Sequence, residues 1–174
     1  MKYFKISSAE FATVEGDYDI VVVKNGYIYV ASDTELDSPF VLSSLPEGVA
    51  EEIAEQLEEA KENKKKEIDT AKIAYIEGGV TFKDKVFQSA EYDRNLLTST
   101  VSLYSITGTA LPDGFAWISQ DNTSVSMTLQ ELIQLGALMA QKVNEGTIKA
   151  RELKDKVIAA TTINEVQAIK FDVE

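Results

Sequence analysis

Asp33, Glu35 and Asp37 alternate in the run Asp33-Thr34-Glu35-Leu36-Asp37, and three carboxylates at that spacing are the first place where a cation could bind. The glycine and distal glutamate of a calcium loop are missing, so a solvated acidic loop is the better reading. Asp93-Arg94 could recognise a ligand, but an acid beside a helix start more often caps it and joins an ion pair. Arg151 is a candidate to meet Asp121 or Asp93 across the core. Trp117 could anchor a sugar, yet it sits between Ala116 and Ile118 in a short apolar run, which favours burial. Tyr27 and Tyr29 share one face of a strand while Ile28 and Val30 share the other. A strand apolar or aromatic on both faces suggests contact on both sides, so these four, with Ile53 and Leu57 on a following helix, are the candidate protein interface.

What is missing narrows the chemistry further. The 174 residues contain no Cys and no His. That removes disulfides, thiolate nucleophiles, zinc–thiolate sites and every Ser-His or Cys-His system. Catalysis would have to rest on carboxylate pairs, Lys or Tyr, and no acid pair stands out. No catalytic residue, metal site or cofactor is expected. The net charge of −12 opposes nucleic-acid binding, which draws its affinity from Lys and Arg. The acid is uneven: residues 1–79 hold 8 Lys against 17 acids, and residues 80–174 hold 9 Lys and Arg against 12. No apolar run approaches the ~18–20 residues of a membrane span. Met1-Lys2-Tyr3-Phe4 lacks a signal peptide's apolar stretch, so synthesis and retention in a cytoplasm are expected.

The elements that would position these residues give an α+β fold: a small N-terminal β region, a long connector helix, and a C-terminal helical domain with two short β-hairpins. Over residues 1–45, Lys2–Ile6 alternates, and Asn25-Gly26 separates Ile20–Val23 from Tyr27–Val30, a strong hairpin signal. Pro39–Leu42 adds a short strand. So small a sheet is marginal alone and is expected to complete its core against a partner or sister subunit. Residues 46–79 read as the connector. Ser44 and Glu47 form a capping box, the helix runs to Glu77, and Gly78-Gly79 stops it. Its middle, Glu58–Glu67, is almost wholly charged, with Glu62 and Lys66 set for an ion pair.

Residues 80–174 form the C-terminal domain, expected to fold as a self-sufficient monomeric unit. Val80–Gln88 is a hairpin around Lys83-Asp84. Ser89 starts a helix with Tyr92, Leu96, Leu97, Thr100, Val101, Leu103, Tyr104 and Ile106 on one broad apolar face. Phe115–Ile118 and Ser124–Met127 flank a polar turn. Thr128 and Glu131 form a capping box before a long amphipathic helix. Gly146 costs that helix roughly 1 kcal/mol against Ala, which makes a break there conceivable. A second capping box, Thr162 with Glu165, opens a short helix that folds back on the long one.

From Lys65 onward the order of features is specific. A charged helix ends in Gly78-Gly79, then come Phe82, Val86-Phe87-Gln88, Asp93-Arg94, Leu96, Trp117, Asp121-Asn122, Met127 and Ala150-Arg151-Glu152-Leu153-Lys154. This resembles a domain of unknown function found near the C-terminus of bacteriophage tail-fibre and tail-assembly proteins and prophage copies of them. The likeness covers about residues 65–170. It implies a virion tail component, made in the bacterial host cytoplasm, whose partners are other phage tail or fibre proteins or sister subunits. A host surface receptor stays open as a further partner. No catalytic residue is carried over. The alternatives are a tail-fibre assembly chaperone and, least favoured, a carboxylate-based hydrolase.

Overall fold

The computed structural model describes residues 2–172. The fold is α+β, and the chain divides into two compact units, 1–59 and 60–174.

The first unit is built on an antiparallel sheet. Its strands are β1 (Lys2–Ser7), β2 (Asp19–Lys24), β3 (Tyr27–Ser32) and β4 (Val41–Leu42), with a one-turn helix α1 (Ser8–Phe11) after β1. The order across the sheet is β2-β3-β1-β4. Asn25 and Gly26 both take positive φ, 53° and 78°, so the β2–β3 turn is the primed hairpin type that this dipeptide favours. In the β1–β3 register Phe4 lies opposite Val30 and Ile6 opposite Ile28. All four side chains are buried, and Phe11, Val14, Tyr18, Leu36 and Phe40 pack over them.

This corrects the interface reading. β3 is an inner strand, and Ile28 and Val30 fill the sheet's own core instead of waiting for a partner. Tyr27 is exposed and Tyr29 half-buried on the opposite face, while Ile53 and Leu57 are half-buried on the following helix. The strands on the rim are β2 and β4, where Ile20, Val23, Val41 and Leu42 are exposed.

The helix after the sheet, α2, covers Val49–Glu77. It begins later than the Ser44–Glu47 box implies. Gly48 takes a φ of 81°, and its carbonyl accepts the N–H of Glu52. The connector reading is corrected as well, because residues from Ala60 onward belong to the second unit. Ile68 is buried against Ala150, Leu153 and Val157. Asp69 accepts from Lys154 at 2.6 Å, and Lys64 keeps only 12% of its side chain exposed. Glu62 pairs with Lys65 at 2.7 Å, one turn position away from the expected Lys66.

The rest of the second unit comprises β5 (Val80–Phe82), β6 (Lys85–Phe87), α3 (Glu91–Thr107), β7 (Ala116–Ile118), β8 (Ser124–Ser126), α4 (Leu129–Ala159) and α5 (Ile163–Ala168). Helix α4 organises it. Leu132, Leu135, Met139, Gly146, Ala150, Leu153 and Val157 recur at spacings of three, four and seven residues, and all are buried. The N-terminal half of this stripe packs with Val80, Phe87, Leu97 and Met127, and the C-terminal half with Ile68, Ile169 and Phe171. Each fully buried Leu, Val, Ile, Met or Phe among them contributes roughly 1.5–3 kcal/mol. The helix is unbroken at Gly146, because the missing side chain is needed there. A Cβ at that position would stand 2.9 Å from Tyr75 Cδ1 and 3.2 Å from Ile76 Cγ1.

Candidate functional site

The sequence candidates do not converge. Glu35 pairs with Lys2. Among the described residues no group of three or more acidic side chains is arranged to hold a metal ion. Asp93 caps α3, accepting the Ala90 N–H at 3.1 Å, and Arg94 donates to the Ser89 carbonyl. Arg151 is largely exposed and pairs along its own helix with Asp155 at 3.2 Å, so the bond to Asp121 or Asp93 expected across the core is corrected. It lies on the outer face of α4, opposite the stripe that turns inward. Trp117 is half-buried in β7, with its ring centroid 6.4 Å from that of Phe115.

Two polar assemblies do form within the second unit. The first gathers where α2 ends. The Ser89 hydroxyl is buried; it donates to the Ile76 carbonyl and accepts the Gly79 N–H at 3.0 Å. The ammonium of Lys142 donates to the Gly79 carbonyl and lies 4.7 Å from the Tyr75 ring centroid. The Tyr75 hydroxyl donates to Glu145 at 3.0 Å, and Gln141 donates to the other oxygen of that carboxylate at 2.7 Å. Burial, with the carboxylate beside it, pushes the Tyr75 hydroxyl's pKa up, while Gln141 and then Tyr75 hold Glu145 down. A shallow cleft of about 270 Å³ opens beside these groups. The sequence marked where α2 stops, at Gly78-Gly79, but gave no sign that Ser89, Lys142 and Tyr75 meet there.

The second assembly ties two hairpins to each other and to α4. Asp121 accepts from Lys85 at 2.8 Å, from the Ser119 hydroxyl at 2.6 Å and from the Thr123 N–H at 3.2 Å. The Gln120 N–H adds a bond to the Val86 carbonyl at 2.7 Å. Glu131 closes the capping box with Thr128 and accepts from Lys83 at 2.7 Å. Lys85, followed by Ser119 and Thr123, holds the Asp121 carboxyl well below the usual range. Lys83, followed by Thr128, brings Glu131 down to about 2. Both therefore stay ionised far below neutral pH. Their bonds to Thr123 and Thr128 make these carboxylates fixed acceptors that hold a turn and a helix cap in place.

The family described as Domain of unknown function (DUF4376) matches residues 59–171. The chain belongs to this family. The match begins one residue before the boundary at which the second unit starts, so the DUF4376 region and the second unit are the same body. No curated protein matches the chain, and no solved structure does. Within the DUF4376 region many residues of the ordered pattern fall on its frame, while Val86, Leu96 and Arg151 are exposed. Gly79 makes the turn after α2 with a φ of 88°, Phe87, Met127, Ala150 and Leu153 are buried, and Asp93 and Asp121 hold a cap and a turn.

Proposed function

We propose that this protein is a structural component of a bacteriophage tail or tail fibre, made in the bacterial host cytoplasm and carried on the virion. In this reading the first unit docks to other tail proteins and the DUF4376 region is the presented domain. The observation that supports it most is that Gly79, Phe87, Asp93, Asp121, Met127, Ala150 and Leu153 of the ordered pattern resembling tail proteins lie on turns, caps and core of the second unit. The exposed apolar residues of the rim strands, Ile20 and Val23 on β2 and Val41 and Leu42 on β4, are the docking candidates that replace Ile28 and Val30. An open strand edge accepts a partner strand through its backbone.

Mass spectrometry of purified particles tests this reading. A fixed copy number per particle is expected. Presence in the infected-cell lysate with absence from finished particles would favour the assembly chaperone instead. Turnover of a host polysaccharide that a single Asp or Glu substitution abolishes would favour the hydrolase.

A further inference from the structure

Helix α3 has two apolar faces, and the fold uses one. Leu97 is buried in the core with Phe87 and Leu132, and Val101 packs beside it. Tyr92, Leu96, Leu103 and Ile106 are 74%, 45%, 58% and 85% exposed. With Ser99 between them, these residues are spaced four, three, four and three apart. At about 100° per residue the centre of this line lies roughly 140° around the helix from Leu97. A four-three repeat keeps one seam facing a second helix, because 3.5 residues per turn matches a gentle supercoil.

Charge argues for what covers the seam. Asn95 through Thr107 contains no Asp, Glu, Lys or Arg, in a chain of net charge −12. The flanking positions Asn95, Thr100, Ser102 and Thr107 are neutral and Asp93 beside Tyr92 is charged, so beyond the first turn no flanking ion is there to set a choice of partner. An acidic protein meets its own copy across such a strip without like-charge repulsion. The acids of α3 lie in its first turn, Glu91 and Asp93. A parallel pair would set these acids against each other. An antiparallel pair sets them beside the uncharged Thr107–Thr109 end and places the small Ser99 at the crossing point. We propose that α3 pairs antiparallel with α3 of a second copy of this chain, about a two-fold axis near Ser99. This goes beyond the tail-component reading and does not depend on it. It also revises the expectation of a monomeric C-terminal domain.

A 17-residue helix is roughly 25 Å long, and a strip of that length buries less than the ~1,200 Å² of a standard interface. Association in the micromolar range is therefore expected. Sedimentation of the full chain across that range should show a monomer–dimer equilibrium. Leu103→Glu and, separately, Leu96→Glu should each leave a monomer with unchanged circular dichroism, since both residues are exposed. The chain has no Cys, so single cysteines report orientation. Ser99→Cys should cross-link on mild oxidation. Ile106→Cys should cross-link with Tyr92→Cys in a mixture and not with itself. A wild type that stays monomeric, which would leave the seam to a different protein, overturns the proposal. So does a dimer that survives both Glu substitutions. Self-cross-linking of Ile106→Cys as efficient as that of Ser99→Cys overturns the antiparallel arrangement.

Discussion

The two units solve the problem of burying apolar surface in different ways. The first roofs one face of a four-stranded sheet with loop residues such as Val14, Tyr18 and Phe40, and it leaves apolar side chains on both rim strands. The second lays its core along one long helix, so that α4 serves two clusters in succession, and it leaves an uncovered line on α3. The family match covers only the second. The difference teaches that apolar residues near a surface mark an interface only after the unit's own core has taken its share. Ile28 and Val30 were consumed by the core; Leu103 and Ile106 were not.

The largest expected effect separates the units. Val30→Asp places an uncompensated charge in the first unit's core, so the amide signals of residues 2–45 should collapse while those of 60–172 persist. Loss of both sets would mean that the units fold as one. Phe87→Ala makes the converse test. Its ring is fully buried, and truncation should lower the second unit's stability to urea by about 3–5 kcal/mol.

Gly146→Ala tests whether packing outweighs propensity. Helix propensity alone predicts a gain of roughly 1 kcal/mol. The contact with the Tyr75 ring, held by Glu145 and Lys142, predicts a net loss of about 1–3 kcal/mol in the same titration. The smallest effect is the acid response. Asp121 and Glu131 have carboxyl pKa values lowered in the folded state from ordinary values of 3.8 and 4.5. Their contribution is therefore complete above those values and is lost as pH falls through the folded ones. The second unit's urea midpoint should be flat above about pH 5 and fall steadily toward pH 2. Lys85→Met should flatten part of that fall.

The features legible in the sequence are those decided within a few residues. Asn25-Gly26, the two capping boxes at Thr128 and Thr162, and the Gly78-Gly79 stop stand where expected, because local hydrogen bonding and backbone freedom fix them. Lys83-Asp84 adopts the same primed turn with φ of 51° and 59° without a glycine, and the short strands around it were enough to read it. Features decided by distant contacts were not legible. The role of Gly146 depends on a tyrosine 71 positions earlier, and the partner of Asp121 is a lysine in another hairpin. Which of α3's apolar residues turn inward depends on α4. The one-turn helix α1 is too short to leave a periodic signal. The Ser44–Glu47 box failed because Gly48 breaks the chain's path between it and the helix.

The central claim is that the DUF4376 region is a complete folding unit that begins near Ala60, within α2, and not at the end of that helix. Residues 59–174 expressed alone measure this most directly, by thermal melting followed at 222 nm together with a proton–nitrogen correlation spectrum. A single cooperative transition and dispersed amide signals matching those of the full chain are expected, while a fragment starting at residue 80 should be unfolded, having lost Ile68 and Ile76 from its core. An unfolded 59–174 fragment, or a folded 80–174 fragment, would contradict the account.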